Sequence, residues 1–321
     1  MKLGVFAVMF GDMPFEQALD YIKSVGVQAV EIGVGGYVGD AHCKPATILN
    51  DSRAAAALKE AVASRGLTIS ALSAHANPLH PDPAIGEAHR AAVTNAILAA
   101  EKLGVETVVT FSGCPGGGPE DKHPNWITCP WPPDFSATVK WQWEAVLIPY
   151  WRETARFARE HGVRVAIEMH PGFCVYNAET MLALLDAVGS DCLGTNFDPS
   201  HLFWQGADPV HVIRALGKSI FHFHAKDTVI DPLNATVNGV LDTKSYTDVP
   251  RRSWMFRTVG YGHSEEVWRG MISNLQLVGY EGALSIEHED GLMSKKEGFE
   301  KAVALLKNML IQEKPGVAYW A

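Results

Sequence analysis

Short apolar runs alternate with longer amphipathic runs from one end of this chain to the other, and that alternation leaves few folds open. The short runs lie at 2–8, 28–33, 68–74, 106–111, 163–168, 193–197, 220–224 and 283–287. They are rich in Val, Ile and Phe and apolar almost throughout, as strands buried on both faces of a parallel sheet are. Between them, residues 15–24, 53–64, 86–102, 141–160, 178–187, 209–216, 265–278 and 296–310 repeat apolar residues at the three- and four-residue spacing of a helix with one buried stripe. Gly26, Gly66, Gly104, Gly162 and Gly279 fall where a helix C-cap belongs, and a strand follows each within a few residues. Eight strand–helix units in 321 residues predict an α/β fold with one domain, residues 1–321, closed as a single (β/α)8 TIM barrel. The rival is an open doubly wound sheet. It is weakened because no GxGxxG follows the first strand.

Two stretches exceed the cadence. Residues 112–140, after the fourth strand, are rich in Gly and Pro and hold Trp126 and Trp131. Residues 225–262, after the seventh, hold Trp254, Arg257 and a GYG turn. In a barrel both belong to the C-terminal face, where loops build active sites. Trp126, Trp131, Trp254 and Arg257 are therefore expected over the barrel mouth, with an oligomer contact as the other use of Trp-rich loops.

Charge and cysteine usage narrow the function. The formal net charge of −9 argues against gripping a phosphate backbone, so no nucleic-acid partner is expected. The five cysteines are odd in number and none forms CxxC, which suits a reducing, cytoplasmic setting. No run approaches the roughly 18 apolar residues of a membrane span. The opening MKLGVFAVMF is too short and lacks the cleavage pattern of a signal peptide.

Chemistry-bearing residues gather at the ends of the last four strands. The fifth ends in AIEMHPG, the sixth in NFDPSH, the seventh in FHFHAKD and the eighth in SIEHED. Glu168, Asp198, His224 and Glu287 each stand at or beside a strand end, so their side chains converge near the barrel axis. Three carboxylates and one imidazole suit Mn2+, Mg2+, Co2+ or an open Zn2+ site rather than a thiolate-type zinc site. A lone Glu at a strand end serves more often as a cap or an ion-pair partner. Four together, with Lys226 as the only base in these motifs, call for a cation, because unpaired buried carboxylates cost several kcal/mol each (about that order). His222 is read as turned away from the barrel interior and His224, nearer the strand end, as inward. His201 and His75 are candidate substrate contacts, and His80, His89 and His123 are read as loop or surface residues.

These motifs resemble the xylose isomerase-like superfamily of sugar isomerases and epimerases, which also includes inosose dehydratases and the apurinic endonucleases. The resemblance spans nearly the whole chain and rests on IEMHPGF (167–173), NFDPSHLFW (196–204), FHFHAKD (221–227), GYGHSEEVW (260–268) and LSIEHED (284–290). It implies a barrel with one divalent metal, Mn2+ first, held by Glu168, Asp198, His224 and Glu287. It further implies that Glu168 and Glu287 move the substrate proton and that His201 binds substrate. Ketose 3-epimerases carry a Glu where this chain has Cys174 and an Arg where it has Ile230. Arg257 is the candidate replacement for that Arg, and His170 is a further candidate substrate contact. The endonuclease branch needs a His where this chain has Ser112, and an Asp-x-His where it reads WMFRTVGYG. The expected function is metal-dependent isomerisation or epimerisation of a sugar through an enediolate. The alternative is a lyase or dehydratase acting on a keto-sugar, keto-glycoside or inosose. No phosphate-binding loop is present, so an unphosphorylated small molecule is the expected partner, and a homo-oligomer is compatible with the loops.

Overall fold

The computed structural model describes every residue except 315. Eight parallel strands close into a barrel: β1 (Lys2–Phe6), β2 (Ala29–Gly33), β3 (Thr68–Ser73), β4 (Thr107–Phe111), β5 (Arg164–Glu168), β6 (Leu193–Phe197), β7 (Ile220–Ala225) and β10 (Ala283–Ile286). They run in the ring order β1-β10-β7-β6-β5-β4-β3-β2, and helices cover the outside. The (β/α)8 expectation holds. Outward strand residues such as Val30, Ile32, Leu72, Val108, Val165, Ile167, Phe197 and Phe223 pack with helix residues in one continuous apolar layer.

The inward residues follow a different logic along each strand. Near the floor they are small: Ala71, Val109 and Ala166 form a separate little cluster with Phe221. Gly194 is required there, because a Cβ would lie 2.5 Å from both the Phe221 ring and the Ser219 carbonyl. One pleat higher the inward set turns polar, with Glu31, Ser73, Asn196, His222 and Ser285 all buried. At the rim come Glu168, Asp198 and His224. Period-two alternation thus stacks a small floor, a polar middle and a charged rim along the barrel axis.

Several elements depart from the sequence expectation. The first strand stops at Phe6, and Ala7–Phe10 form a tight 3-10 turn. A short helix, Pro45–Asn50, precedes the second long one. The helix expected at 141–160 begins at Pro133 and passes through a π-type turn, Gln142–Leu147. Buried Gln142 explains the widening, since its amide donates to the carbonyls of Gly116 (2.9 Å) and Asn125 (2.8 Å) in the preceding loop. The stretch after β7 is no plain loop. Strands β8 (Asp227–Ile230) and β9 (Trp254–Arg257) pair antiparallel around a helix, Pro232–Asn238. Trp254 stacks on Trp204 with centroids 4.7 Å apart, which seats this hairpin against the end of β6.

Asp227 fastens the hairpin to the barrel. Its Oδ2 accepts from the backbone N–H of Gly260 (3.0 Å), Gly262 (3.1 Å) and His263 (3.0 Å) and from Trp268 Nε1 (3.1 Å). Gly262 has no alternative there, as a Cβ would meet the Thr228 carbonyl at 2.3 Å. Asp227→Ala leaves these donors facing an apolar void. The expected result is a loss of about 3–5 kcal/mol in unfolding free energy, with faster protease cleavage between β8 and the GYG turn. An unchanged urea midpoint would show that the turn is held by other contacts.

Candidate metal centre

Each rim side chain is positioned by its own strand end. Asp198 directly follows β6 and caps the short helix Pro199–Phe203, its Oδ1 accepting from Ser200 N at 2.8 Å. That leaves Oδ2 aimed inward, toward the Lys226 ammonium at 3.1 Å. Glu168 ends β5. His75 Nε2 (2.9 Å) and Asn196 Nδ2 (2.8 Å) both engage its Oε2. His201 Nε2 lies 3.3 Å from Glu168 Oε1 and 3.3 Å from Asp198 Oδ2. His224 directs Nδ1 toward Glu168 Oε2 (3.2 Å) and Glu287 Oε2 (3.1 Å). Its Nε2 meets Glu31 Oε1 at 2.9 Å on the other side.

One ligand atom from each of Glu168, Asp198, His224 and Glu287 falls within a 4.8 Å sphere of separations. Asp198 Oδ2 is paired in charge with the Lys226 ammonium at 3.1 Å, whereas His224 Nδ1 is buried without a hydrogen-bond partner. Buried polar atoms are rarely left so. An unpartnered imidazole nitrogen set among three carboxylates fits a divalent cation with hard oxygen ligands and one imidazole.

The charges are strongly interdependent. Burial works against ionised Glu168, but His224, His201 and His75 outweigh it and hold its carboxyl well below the usual range. Burial likewise opposes ionised Glu287, yet Lys226 and His224 hold it down to about 2. Lys226 is almost fully buried, with Nζ 2.8 Å from Glu287 Oε2, 3.1 Å from Asp198 Oδ2 and 3.1 Å from Glu289 Oε2. Burial disfavours its charge, and those carboxylates more than restore it. Its ammonium also sits over the Phe256 ring of the hairpin, 4.7 Å from the centroid.

The other expected contacts divide. His170 packs on His201, centroids 4.1 Å apart, beside Phe111 and Phe173. Burial and the neighbouring His201 push its pKa down to about 3, so it stays a neutral imidazole at pH 7. His75 is turned onto Glu168. Arg257 donates through Nε to Asp290 Oδ2 at 3.1 Å, joining the hairpin to the segment after β10. Trp126 rests edge-on against Tyr176, whereas Trp131 is 72% exposed. Cys174 is buried, and Ile230 lies on the outer part of the hairpin, 38% exposed.

One expectation is overturned. His222 does not turn away from the interior; its Nε2 lies 2.9 Å from Glu31 Oε2, and His224 reaches the same carboxylate. Residues two apart on a strand share a face, so both imidazoles point inward at successive levels. Glu31, Lys226 and Asn196 were not singled out as site residues. Glu31 carried a signal, a lone carboxylate between Val30 and Ile32 in an apolar strand. Such a charge has to be buried with partners.

Residues 19–309 match the xylose isomerase-like TIM barrel family. The chain belongs to that family. It is 38% identical over 315 residues to the uncharacterized protein YfiH of Bacillus subtilis, covering 97% of this chain and 100% of YfiH. Among solved structures, the probable 3-DHS dehydratase AsbF of Bacillus anthracis superposes with a TM-score of 0.65 at 17% identity, over 96% of this chain and 99% of AsbF. The 3-keto-D-glucoside 4-epimerase YcjR of E. coli gives 0.63 at 13% identity, over 96% and 99%. The fold is thus shared by epimerases and dehydratases. No helix among the described residues is long and apolar enough to cross a membrane.

The depressed pKa of His170 has a definite sign. Between about 3 and the unfolded value near 6.5 the unfolded chain binds the extra proton. This contribution to stability is therefore full above pH 6.5 and is lost as pH falls toward 3. His170→Phe is expected to flatten the loss of stability on acidification from pH 6.5 to 4.5, read as urea midpoints against wild type. Parallel curves would show that His170 is already protonated in the folded protein.

Proposed function

We propose that this protein is a divalent-metal-dependent sugar isomerase or epimerase that removes and returns a proton next to a carbonyl. The observation that carries this reading is the convergence of Glu168, Asp198, His224 and Glu287, with His224 Nδ1 left without a hydrogen-bond partner among them. A divalent ion held by these four residues would polarise the substrate carbonyl and stabilise negative charge on its oxygen. Mn2+ is the first choice, with Mg2+, Co2+ and Zn2+ as alternatives.

The protein's own groups supply the remaining steps. Glu168 ends β5 and Glu287 follows β10, three steps apart in the barrel ring. A small substrate lying between them is approached by one carboxylate from each side. One takes the proton from the carbon beside the carbonyl, and the other returns it to the opposite face or to the neighbouring carbon. Lys226, beside Glu287, donates hydrogen bonds to oxygen that becomes negative as the proton leaves. His201 and neutral His170 orient the substrate hydroxyls. His75 and Arg257 act at one remove, His75 by holding Glu168 and Arg257 by holding the hairpin to Asp290.

A second reading has its own support. The epimerase Glu and Arg positions are occupied by Cys174 and Ile230, and neither side chain supplies a charge to hold an open-chain ketose. Lys226 Nζ, 2.8 Å from Glu287, is placed to protonate a departing oxygen. Loss of a β-substituent from the same intermediate makes the enzyme a lyase or dehydratase on a keto-sugar, keto-glycoside or inosose.

Turnover of candidate keto-sugars in D2O separates the two. An epimerase or isomerase returns product that is unchanged in mass apart from deuterium at the carbon next to the carbonyl. A lyase releases water or an aglycone. Glu168→Gln and Glu287→Gln are each expected to lower turnover by about 10²–10⁴. Full activity in exhaustively metal-stripped protein would overturn the metal-dependent reading, and near-native proton exchange in both Gln variants would overturn the carboxylate roles.

A further inference from the structure

Glu31 is a fully buried carboxylate that the proposed chemistry leaves unused. It lies one level below the rim, and its two oxygens are loaded alike. Oε1 accepts from the Ser73 hydroxyl and from His224 Nε2 at 2.9 Å. Oε2 accepts from His222 Nε2 at 2.9 Å and from the Ser285 hydroxyl at 2.6 Å. Four donors on one carboxylate satisfy it as an anion.

An ionised carboxylate only accepts, so the facing nitrogen of His224 has to carry a proton. A neutral imidazole has one N–H. When His224 is the neutral ligand that a divalent ion requires, that proton stays on Nε2 and the lone pair is offered by Nδ1, the atom that lies 3.1 Å from Glu287 Oε2 and 3.2 Å from Glu168 Oε2. We propose that Glu31 is a positioning residue that holds His224 in the Nε2–H tautomer, making Nδ1 the metal-binding atom and the imidazole a more basic ligand. This rests on the metal-cage reading above. A carboxylate is suited to the task in a way that a hydroxyl or amide is not, since either of those can turn a donor toward the ring. The flanking serines complete the arrangement by fixing the carboxylate plane. Their hydroxyls donate along the remaining lone pairs, so the carboxylate cannot swing away from the two rings.

Glu31→Gln keeps the size and removes the charge. Whichever way the amide turns, the anion that strengthens His224 as a ligand is gone, and one orientation also sets an N–H against Nε2. Outer partners of metal-binding histidines typically contribute about 10–100-fold to metal affinity. His222→Gln is the control, because it retains an N–H donor to Glu31 and touches no proposed ligand atom. Mn2+ is titrated into metal-stripped wild type and both variants, with urea midpoints recorded beside each. Glu31→Gln is expected to bind Mn2+ about 10–100-fold more weakly, while His222→Gln binds as wild type does. Side-chain 15N spectra of Zn2+-loaded wild type should show His224 protonated on Nε2 and coordinated through Nδ1. That spectrum decides the matter by itself if Glu31→Gln does not fold. A folded Glu31→Gln with a lowered urea midpoint and unchanged Mn2+ affinity would reduce Glu31 to a structural group and overturn the proposal, as would a proton on Nδ1 in Zn2+-loaded wild type. Wild type that takes up no Mn2+ would instead bring down the cage reading on which the proposal stands.

Discussion

Closing a barrel around carboxylates is the constraint on which the rest of this structure depends. Glu31, Glu168 and Asp198 are almost wholly removed from water, and Glu287 is nearly so. Each ionised carboxylate taken from water costs several kcal/mol after relaxation (about that order), and an unpaired one is not tolerated. The barrel answers at two levels. Below the rim, two imidazoles and two hydroxyls surround Glu31. At the rim, Lys226, His75, His201 and Asn196 surround Glu168, Asp198 and Glu287, and the set still leaves His224 Nδ1 without a hydrogen-bond partner. The lower level is closed among protein groups. The upper one is open at the atoms that a divalent ion would use.

The two levels are joined through one residue. His224 faces Glu31 with one nitrogen and the rim with the other, so the orientation of its ring is set from below before anything binds above. Three barrel strands contribute to that setting, β2 through Glu31, β3 through Ser73 and β10 through Ser285. The polar middle of the barrel is therefore not a defect in an apolar core. It holds the His224 ring through an Nε2 contact of 2.9 Å to Glu31, in place of the hydrophobic filling that a purely structural barrel would have there.

How much of this was legible in the sequence follows from which rules are local. Strand and helix existence was legible because the apolar periodicity is strong and each C-cap glycine marks a boundary. The four rim residues were legible because each ends an apolar run, and strand ends in a barrel meet. Glu31 was less visible because its partners are 42 to 254 residues away in sequence, and only barrel closure brings Ser73, His222, His224 and Ser285 to it. His222 was misplaced although strand periodicity puts it on the same face as His224. The hairpin β8–β9 was hidden for another reason. Its strands are only four residues each and stand 23 residues apart between Ile230 and Trp254, too far for any turn signal to pair them. The Asp227 hub that holds the pair to the barrel needs the GYG turn folded back onto it, which no local pattern announces.

The hairpin carries the argument about substrate one step further. Where ketose 3-epimerases place charge, this chain has a buried thiol at Cys174 and an outward aliphatic side chain at Ile230. The polar grip lost at those places is not restored by Arg257, whose guanidinium is engaged with Asp290. What the hairpin brings to the rim instead is the Phe256 ring, against Lys226 on one side and 5.5 Å from the His201 ring on another. Tyr246 stacks behind Phe256 at 5.5 Å, and the Arg252 guanidinium lies over both the Tyr246 and Trp254 rings, 4.4 and 4.6 Å from their centroids. On the opposite wall, Phe111 and Phe173 stack at 4.4 Å beside His170. The faces of Phe256 are engaged with Lys226 and Tyr246, and those of Phe111 and Phe173 with each other, so these rings brace the charged rim from the protein side.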